Sequence, residues 1–368
     1  MIRAHLFTNL QADLFYKQIP DFAHQIDGVD FSIGMEIPDD IDVLILYGRA
    51  SYSIPTHLPK DRTIFHAAEP DVIHPYATRF LNQFGLVFTT SDKALDTKVI
   101  RGNYCALPFV GIRFGEKLEP TNIHDFTGLP CPTDKDDRIS VVTSNKTGTE
   151  FHRQRLAFLE VLKERIPERL VIYGHGFRPI EDKADALLPH KYHVSLENGR
   201  GQYTWTEKLS DPLLCWAYPF YFGCENVHED LPGDAFEYID ITDPDTAIAQ
   251  MIDAVDSGRW AQRVDAIAKA RLKVIEDFNL MRLLARMART QAAVPLPDHM
   301  PPRLIRSERS FPPEEPGQRG SRLEAAVRSA LLAVDPKIEL RLSNALKRRA
   351  DRRQARKRAR AAGGNGSG

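Results

Sequence analysis

Along the chain, short unbroken apolar runs alternate with longer stretches in which apolar residues recur every three to four positions. The runs are VLILY (Val43–Tyr47), TIF (Thr63–Phe65), LVFTT (Leu86–Thr90), ISVVTS (Ile139–Ser144), LVIYG (Leu170–Gly174), YHVSL (Tyr192–Leu196) and FYFG (Phe220–Gly223). Continuous apolar runs mark strands buried on both faces, as in parallel sheets, whereas half-buried strands alternate. Strands separated by helical patterns predict βαβ units and an α/β class.

Between the first three runs and the last four lies GEKLEPTNIHDFTGLPCPTDKDD (115–137), rich in Pro, Gly and Asp and without periodicity. It predicts a domain boundary. A helix is expected from about Glu150 to Ile166, with Arg155, Leu159, Leu162 and Ile166 on one face at i, i+4, i+7 and i+11. A long helical pattern from about Trp260 to Arg289 closes the globular part, and AVPLPDHMPPRL and SFPPEEPGQRG then break any helix. The pattern resumes with Leu323, Val327, Ala330 and Val334 as an apolar stripe, running into an Arg-rich end. The expected division is therefore 1–125, 126–290, and a Pro-rich linker with a basic helical tail over 291–368.

The length of 368 residues allows two domains with full cores. No stretch approaches the ~20 apolar residues of a membrane helix, and Asn9, Gln11 and Asp13 interrupt any signal-peptide core, so a cytosolic protein is expected. The four cysteines form no CxxC pair and read as free thiols. The formal charge of −1 hides an asymmetry: residues 291–368 carry +9 and residues 1–290 carry −10. Neither HExxH, GxSxG nor a Walker GxxxxGK[ST] occurs, which removes the commonest metalloprotease, esterase and P-loop readings. DKDD (Asp134–Asp137) reads as solvated charge in a linker rather than as a metal site.

The chemistry concentrates in HVSLENGRGQYTWTEKLSDP (193–212), where a strand stops and a helix begins. Thr204 and Glu207 have the spacing of a capping box, which predicts a helix start near Thr204. Open α/β sheets bind ligands beyond the carboxyl ends of their strands, and a helix N-terminus there offers free N–H groups to an anion. Lys208 stands beside it, and Arg200 in the flexible NGRG adds positive charge. Pro212 should kink the helix or restart it. On these residues alone the alternative stays open that Glu207 only caps and Lys208 is a surface charge.

The same residues resemble a known family, the α1,3/4-fucosyltransferases of glycosyltransferase family 10. There a strand ends in a phrase like FENS, and after a loop a helix opens with YVTEK; here SLEN (Ser195–Asn198) and TWTEK (Thr204–Lys208) stand at matching separation. The flanking order ISVVTSNK, Arg155, VIYG, LLPHKYHVSLEN, PFYFG and DAFEYIDI agrees over about Arg138 to Ile241. The resemblance implies a GT-B fold, two Rossmann-like domains facing a cleft, and an inverting transferase using a GDP-sugar, most often GDP-fucose. It implies no obligatory metal, with Mn²⁺ or Mg²⁺ at most stimulatory. Arg155 and Lys208 would neutralise the diphosphate, Glu207 would accept bonds from sugar hydroxyls, Glu197 and Asn198 would shape the nucleotide pocket, and Asn145 would lie at its mouth. The family's ESP-like phrase corresponds to AAEPDVIHP (67–75), offering Glu69 as catalytic base and Asp71 in reserve, with one residue fewer between Glu and Pro. The family's tyrosine is Thr204 here, and Pro212 interrupts its regular helix, which bears on donor identity.

The expected partners are a nucleotide sugar and a polysaccharide or lipopolysaccharide type of glycan acceptor. The Arg-rich residues 341–360 suit an anionic membrane surface at roughly 1 kcal/mol per cation. With no interleaved aromatics they predict no specific nucleic-acid site. A solvated helix or a homodimerising one is the alternative for this tail. For the whole chain, the alternatives are the same fold using another nucleotide sugar and, from another class, a catalytically silent binding or scaffold protein of that fold.

Overall fold

The computed structural model describes residues 1–50, 52–71, 73–114, 118–143, 150–296 and 299–342. Asn145 and the basic end from 343 onward lie outside them.

All seven apolar runs are strands of two parallel sheets. The first comprises β1 (Ile2–Phe7), β2 (Val29–Gly34), β3 (Val43–Tyr47), β4 (Thr63–His66), β5 (Leu86–Thr89) and β6 (Lys98–Arg101) in the order β2-β1-β3-β4-β5-β6. Gln25–Ile26 adds an antiparallel edge to β2. The second comprises β7 (Asp136–Val142), β8 (Leu170–Tyr173), β9 (His190–Gly201), β10 (Tyr218–Cys224) and β11 (Glu237–Tyr238), all parallel, in the order β8-β7-β9-β10-β11. Each sheet reverses its winding beside its first strand, between β1 and β3 and between β7 and β9. Ligands of open parallel sheets settle at that switch point.

Helix α1 (Glu150–Arg165) follows β7 and buries Phe158, Leu159 and Leu162, the face read from the sequence. Helix α2 (Glu207–Leu214) follows β9 and contains Pro212. A proline lacks the N–H that a helix interior needs. At the sixth position of so short a helix it removes a single ladder bond, so α2 neither breaks nor restarts there. The segment 134–137 is not solvated charge as a whole. The Lys135 amine is buried on the carbonyls of Leu187, Leu188 and His190, and Asp136 binds Arg138 and His190. Burial brings Lys135 down to about 8.

The long pattern after Trp260 is interrupted. Helix α3 (Val264–Glu276) packs on the second core, and helix α4 (Leu280–Ala292) packs on the first, where Leu280, Met281 and Leu284 join Ala4, Val29, Val43 and Ile64. Asn279 makes the break: its Oδ1 caps Met281 and Arg282, and its Nδ2 donates to the Gln18 carbonyl. Residues 280–290, grouped with the second unit on sequence, thus contribute their apolar face to the first.

Residues 303–340 also join the first unit. Arg303–Ile305 pairs antiparallel with Ile54–Thr56, and Glu339 is buried, accepting from Ser53 N and Oγ at 2.7 and 2.6 Å and from Arg328 at 2.9 Å. Helix α5 (Arg322–Val334) therefore turns Ala325 and Leu332 inward, while Leu323, Val327 and Val334 of the expected stripe face solvent. The polar anchors Arg328 and Glu339 decide its rotation, against the apolar count. Among the described residues no helix is long and apolar enough to cross a membrane.

Candidate active site

The carboxyl ends of both sheets face one cleft of about 300 Å³. The first unit contributes Leu10 after β1, Tyr47 at the end of β3, the turn Ala68–Pro70 with Ile73 after β4, and Tyr104, Ala106, Leu107 and Phe109. The second contributes Glu197, Asn198, Gly199, Thr204, Thr206, Glu207 and Lys208. Two facing Rossmann-like units with this cleft make a GT-B fold.

The second wall is built around a kink in β9. Pairing with β10 is regular to Leu196 and then shifts register before Gly201, which swings Glu197 and Asn198 off the sheet. Glu197 is 2% exposed and lies over Gly223, where an added Cβ would stand 2.4 Å from its Cγ. Only glycine leaves room for this carboxylate. Its oxygens accept from Thr206 N at 2.7 Å and Thr206 Oγ1 at 2.8 and 3.0 Å. Thr206 is also the N-cap of α2, receiving the Lys208 amide at 3.2 Å. The expected cap, Thr204, instead donates to the Gly201 carbonyl and holds the loop.

Lys208 does not stand as a free cation. Its ammonium lies 2.9 Å from Glu207 Oε1, 3.2 Å from Thr206 Oγ1 and 3.6 Å from Glu197 Oε2. Burial pushes both carboxyls up, but Lys208 and Lys183 outweigh it at Glu207 and hold that carboxyl at about 2. At Glu197 burial wins and the carboxyl is raised, with Glu207 adding to the effect. Lys208 is raised despite burial, because two carboxylates hold it charged. Arg155, at the first turns of α1, reaches across the switch point to Asn198 Oδ1 and, at 3.3 Å, to Thr143 Oγ1. Burial lowers it, Glu197 and Glu207 oppose, and a guanidinium remains charged. Arg155, Lys183 and Lys208 line a small void of about 20 Å³ beneath the cleft, room for one water.

Across the cleft, Glu69 opens to solvent at its mouth, yet the surrounding walls desolvate its carboxylate and raise it, with Glu207 adding and Lys208 and Arg49 opposing. It therefore shares one electrostatic field with the second wall. The floor is stitched by Asn103 Nδ2 to the Trp205 carbonyl at 2.8 Å and by the Phe109 amide to Asp211, itself 2.8 Å from Lys183.

Of the residues singled out on sequence, Glu69, Glu197, Asn198, Glu207 and Lys208 line this cleft, and Arg155 stands directly behind it. Arg200 does not: it meets Glu225 at 3.5 Å and the Phe222 ring, in a separate depression. Asp71 pairs with Lys93 at 3.5 Å instead of lining the cleft. Sequence reasoning missed Thr206, which lies inside the quoted phrase, and Lys183, Tyr47, Tyr104 and Asn103, which carry no motif.

No protein-family model and no curated protein matches the chain. Solved structures with similarity in fold include an α1,3-fucosyltransferase, 15% identical over 82% of this chain and 92% of that one, with a TM-score of 0.49. The α1,3-fucosyltransferase with GDP-fucose is 13% identical over 81% and 92%, TM-score 0.47. A trehalose-6-phosphate structure from E. coli bound with UDP-2-fluoro glucose is 10% identical over 82% and 100%, also at 0.47. At these values the likeness is one of fold, and no donor or acceptor follows from it.

Proposed function

We propose that the cleft binds a nucleoside diphosphate sugar and transfers its sugar, with inversion, to a hydroxyl of a glycan acceptor. The observation that carries this reading is an opposition: Arg155 and Lys208 at the switch point of one sheet, a partly desolvated carboxylate, Glu69, on the other wall. As the bond from the anomeric carbon to the diphosphate oxygen breaks, charge gathers on the leaving group. The guanidinium fork, the ammonium and the N-terminus of α2 stabilise it there. The acceptor oxygen forms the new bond from the opposite face, and its proton passes to Glu69, whose raised carboxyl suits a general base. Glu207 orients sugar hydroxyls, and Glu197 and Asn198 border the nucleotide. The phrases SLEN and TWTEK make fucose from GDP-fucose the donor proposed. The acceptor proposed is of the polysaccharide or lipopolysaccharide type, and the basic residues 341–360 would bring the enzyme to an anionic membrane surface.

One observation favours the alternative, a silent binding protein: Lys208 is already matched by two carboxylates, which leaves little spare positive charge. A thermal-shift titration with GDP, UDP, ADP and GDP-fucose, with and without Mn²⁺, separates the readings, since selective binding to the folded chain raises its melting temperature. Metal-independent stabilisation by GDP and GDP-fucose is expected. A different nucleotide would replace the donor, and no shift with any of them would sink the transferase reading.

A further inference from the structure

A second cavity, of about 210 Å³, is lined by Arg49, Ala50, Glu308, Arg309, Arg319 and Arg328. Arg49 lies two residues past the end of β3, at the same carboxyl end of the sheet from which Tyr47 and Glu69 reach the cleft. The other three arginines come from the segment after residue 303. Four arginines line it with one acid among them, and that acid is already engaged: Glu308 Oε1 lies 3.0 Å from His74 Nε2. Arg328 is matched by Glu324 at 3.0 Å and Glu339 at 2.9 Å, and Arg309 approaches Glu324 at 3.5 Å. The guanidiniums of Arg49 and Arg319 have no hydrogen bond or ion pair among the described residues. Like charges repel unless an anion joins them, so pairing within the fold accounts for Arg328 and Arg309 but gives no reason for Arg49 and Arg319.

The cavity is tied to the base. His74, the partner of the wall residue Glu308, closes a turn by donating its amide to the Pro70 carbonyl at 2.9 Å, and Glu69 immediately precedes that turn. The covering segment grips the same loop: Gly317 lies against Pro75, Gln318 Nε2 donates to the Tyr76 carbonyl, and Glu314 accepts from the Thr78 amide. The arginine cavity is thereby joined to the loop that follows Glu69.

We propose that this arginine cavity binds an anionic substituent, a phosphate or a carboxylate, of the acceptor glycan and so holds the acceptor hydroxyl at Glu69. The word acceptor rests on the transferase reading above; the anion site itself does not. Guanidinium forks match both oxyanions bidentately.

The test is a calorimetric titration of the full chain at fixed ionic strength with glucose 1-phosphate, glucuronate and glucose, with GDP in parallel. The proteins are the wild type, Arg49→Gln/Arg319→Gln, Arg49→Lys/Arg319→Lys and Lys208→Ala. An anionic sugar should bind where glucose does not, about tenfold or more weaker in the Gln pair, since charged hydrogen bonds are lost. It should be partly retained in the Lys pair and unchanged in Lys208→Ala. Both arginines are unpaired, so the variants should fold, which melting temperature checks. Glucose 1-phosphate ahead of glucuronate identifies a phosphorylated acceptor, and the reverse an acidic sugar. Equal affinity in the Gln pair and the wild type, or no preference over glucose, overturns the site. GDP reports separately: if it fails to bind while the anion binds through the arginines, the donor reading falls and the cavity stands.

Discussion

The two walls of the cleft solve different problems. The second is a locked charge network in which Glu197, Thr206, Glu207 and Lys208 are bonded to one another and Arg155, bonded to Asn198, shares their field. The first is mostly apolar and aromatic, with Leu10, Tyr47, Tyr104 and Phe109 around a single carboxylate, Glu69. A locked network positions groups before a ligand arrives and suits a constant chemical unit such as a diphosphate. An apolar wall with one acid recognises shape and places one proton acceptor. The difference teaches where each change should register: in binding and stability on the second wall, in turnover on the first.

The largest effect is expected from Glu69→Gln. The amide keeps the shape but cannot take a proton, so kcat should fall by about 10²–10⁴, with GDP affinity unchanged. Transfer kinetics beside GDP titration checks this. Unchanged turnover would move the base elsewhere and dissolve the contrast between the walls.

Lys208→Ala should act on the other side of the comparison. It strands the Glu197 and Glu207 carboxylates, which costs about 3 kcal/mol for a mostly buried pair, read by urea unfolding, and it weakens GDP binding. Adding Glu207→Gln should return part of the stability, because without the lysine the repulsion between the two carboxylates is no longer offset.

A pH series isolates Glu207. Its folded carboxyl stands at about 2, below its ordinary value of 4.5, so its contribution is present above 4.5 and lost as pH falls toward 2. Glu197, whose carboxyl is raised, has the opposite sign and gains stability as pH falls. The informative quantity is therefore the stability gap between wild type and Glu207→Gln. It should be about 2 kcal/mol at pH 7 after discounting for partial exposure, and should close between pH 4.5 and 2. A constant gap would mean that the network is not electrostatic.

What was legible in the sequence follows the same division. Every unbroken apolar run became a parallel strand, and the polar phrases at the end of β9 and the start of α2 became the second wall. β1 and β2 were not read, because His5, Asp30 and Ser32 interrupt their apolar residues; His5 is buried and satisfied by Ser32 Oγ and the Gly34 carbonyl. A buried polar residue with distant partners looks like a loop residue in one dimension. The cap fell on Thr206 rather than Thr204 because Glu197, nine residues upstream, takes the Thr206 hydroxyl. The segment 303–340 read as a tail because its docking depends on Ser53 meeting Glu339 across 286 residues. Glu69 was reached through family resemblance, since nothing local marks it.

The smallest expected effect concerns how the walls are held in register, at the crossing between α3 and α4. Two kinds of contact meet there. Asn279 is 1% exposed, caps α4 and donates at 2.8 Å to the Gln18 carbonyl, beside Lys17, whose buried amine donates to the Val110 carbonyl at 2.6 Å. Arg282 bridges Glu276 and Asp27 across the same junction but is about a third exposed. A lost cap with a stranded buried carbonyl costs about 1–2 kcal/mol, whereas a screened surface pair contributes about 0–1. Asn279→Ala should therefore destabilise the chain in urea more than Arg282→Ala, and only the arginine variant should become indistinguishable from wild type in high salt. If the order reversed, the crossing would be held by surface charge, and the relative placement of the two walls, with it the distance from Glu69 to Lys208, would shift with ionic strength.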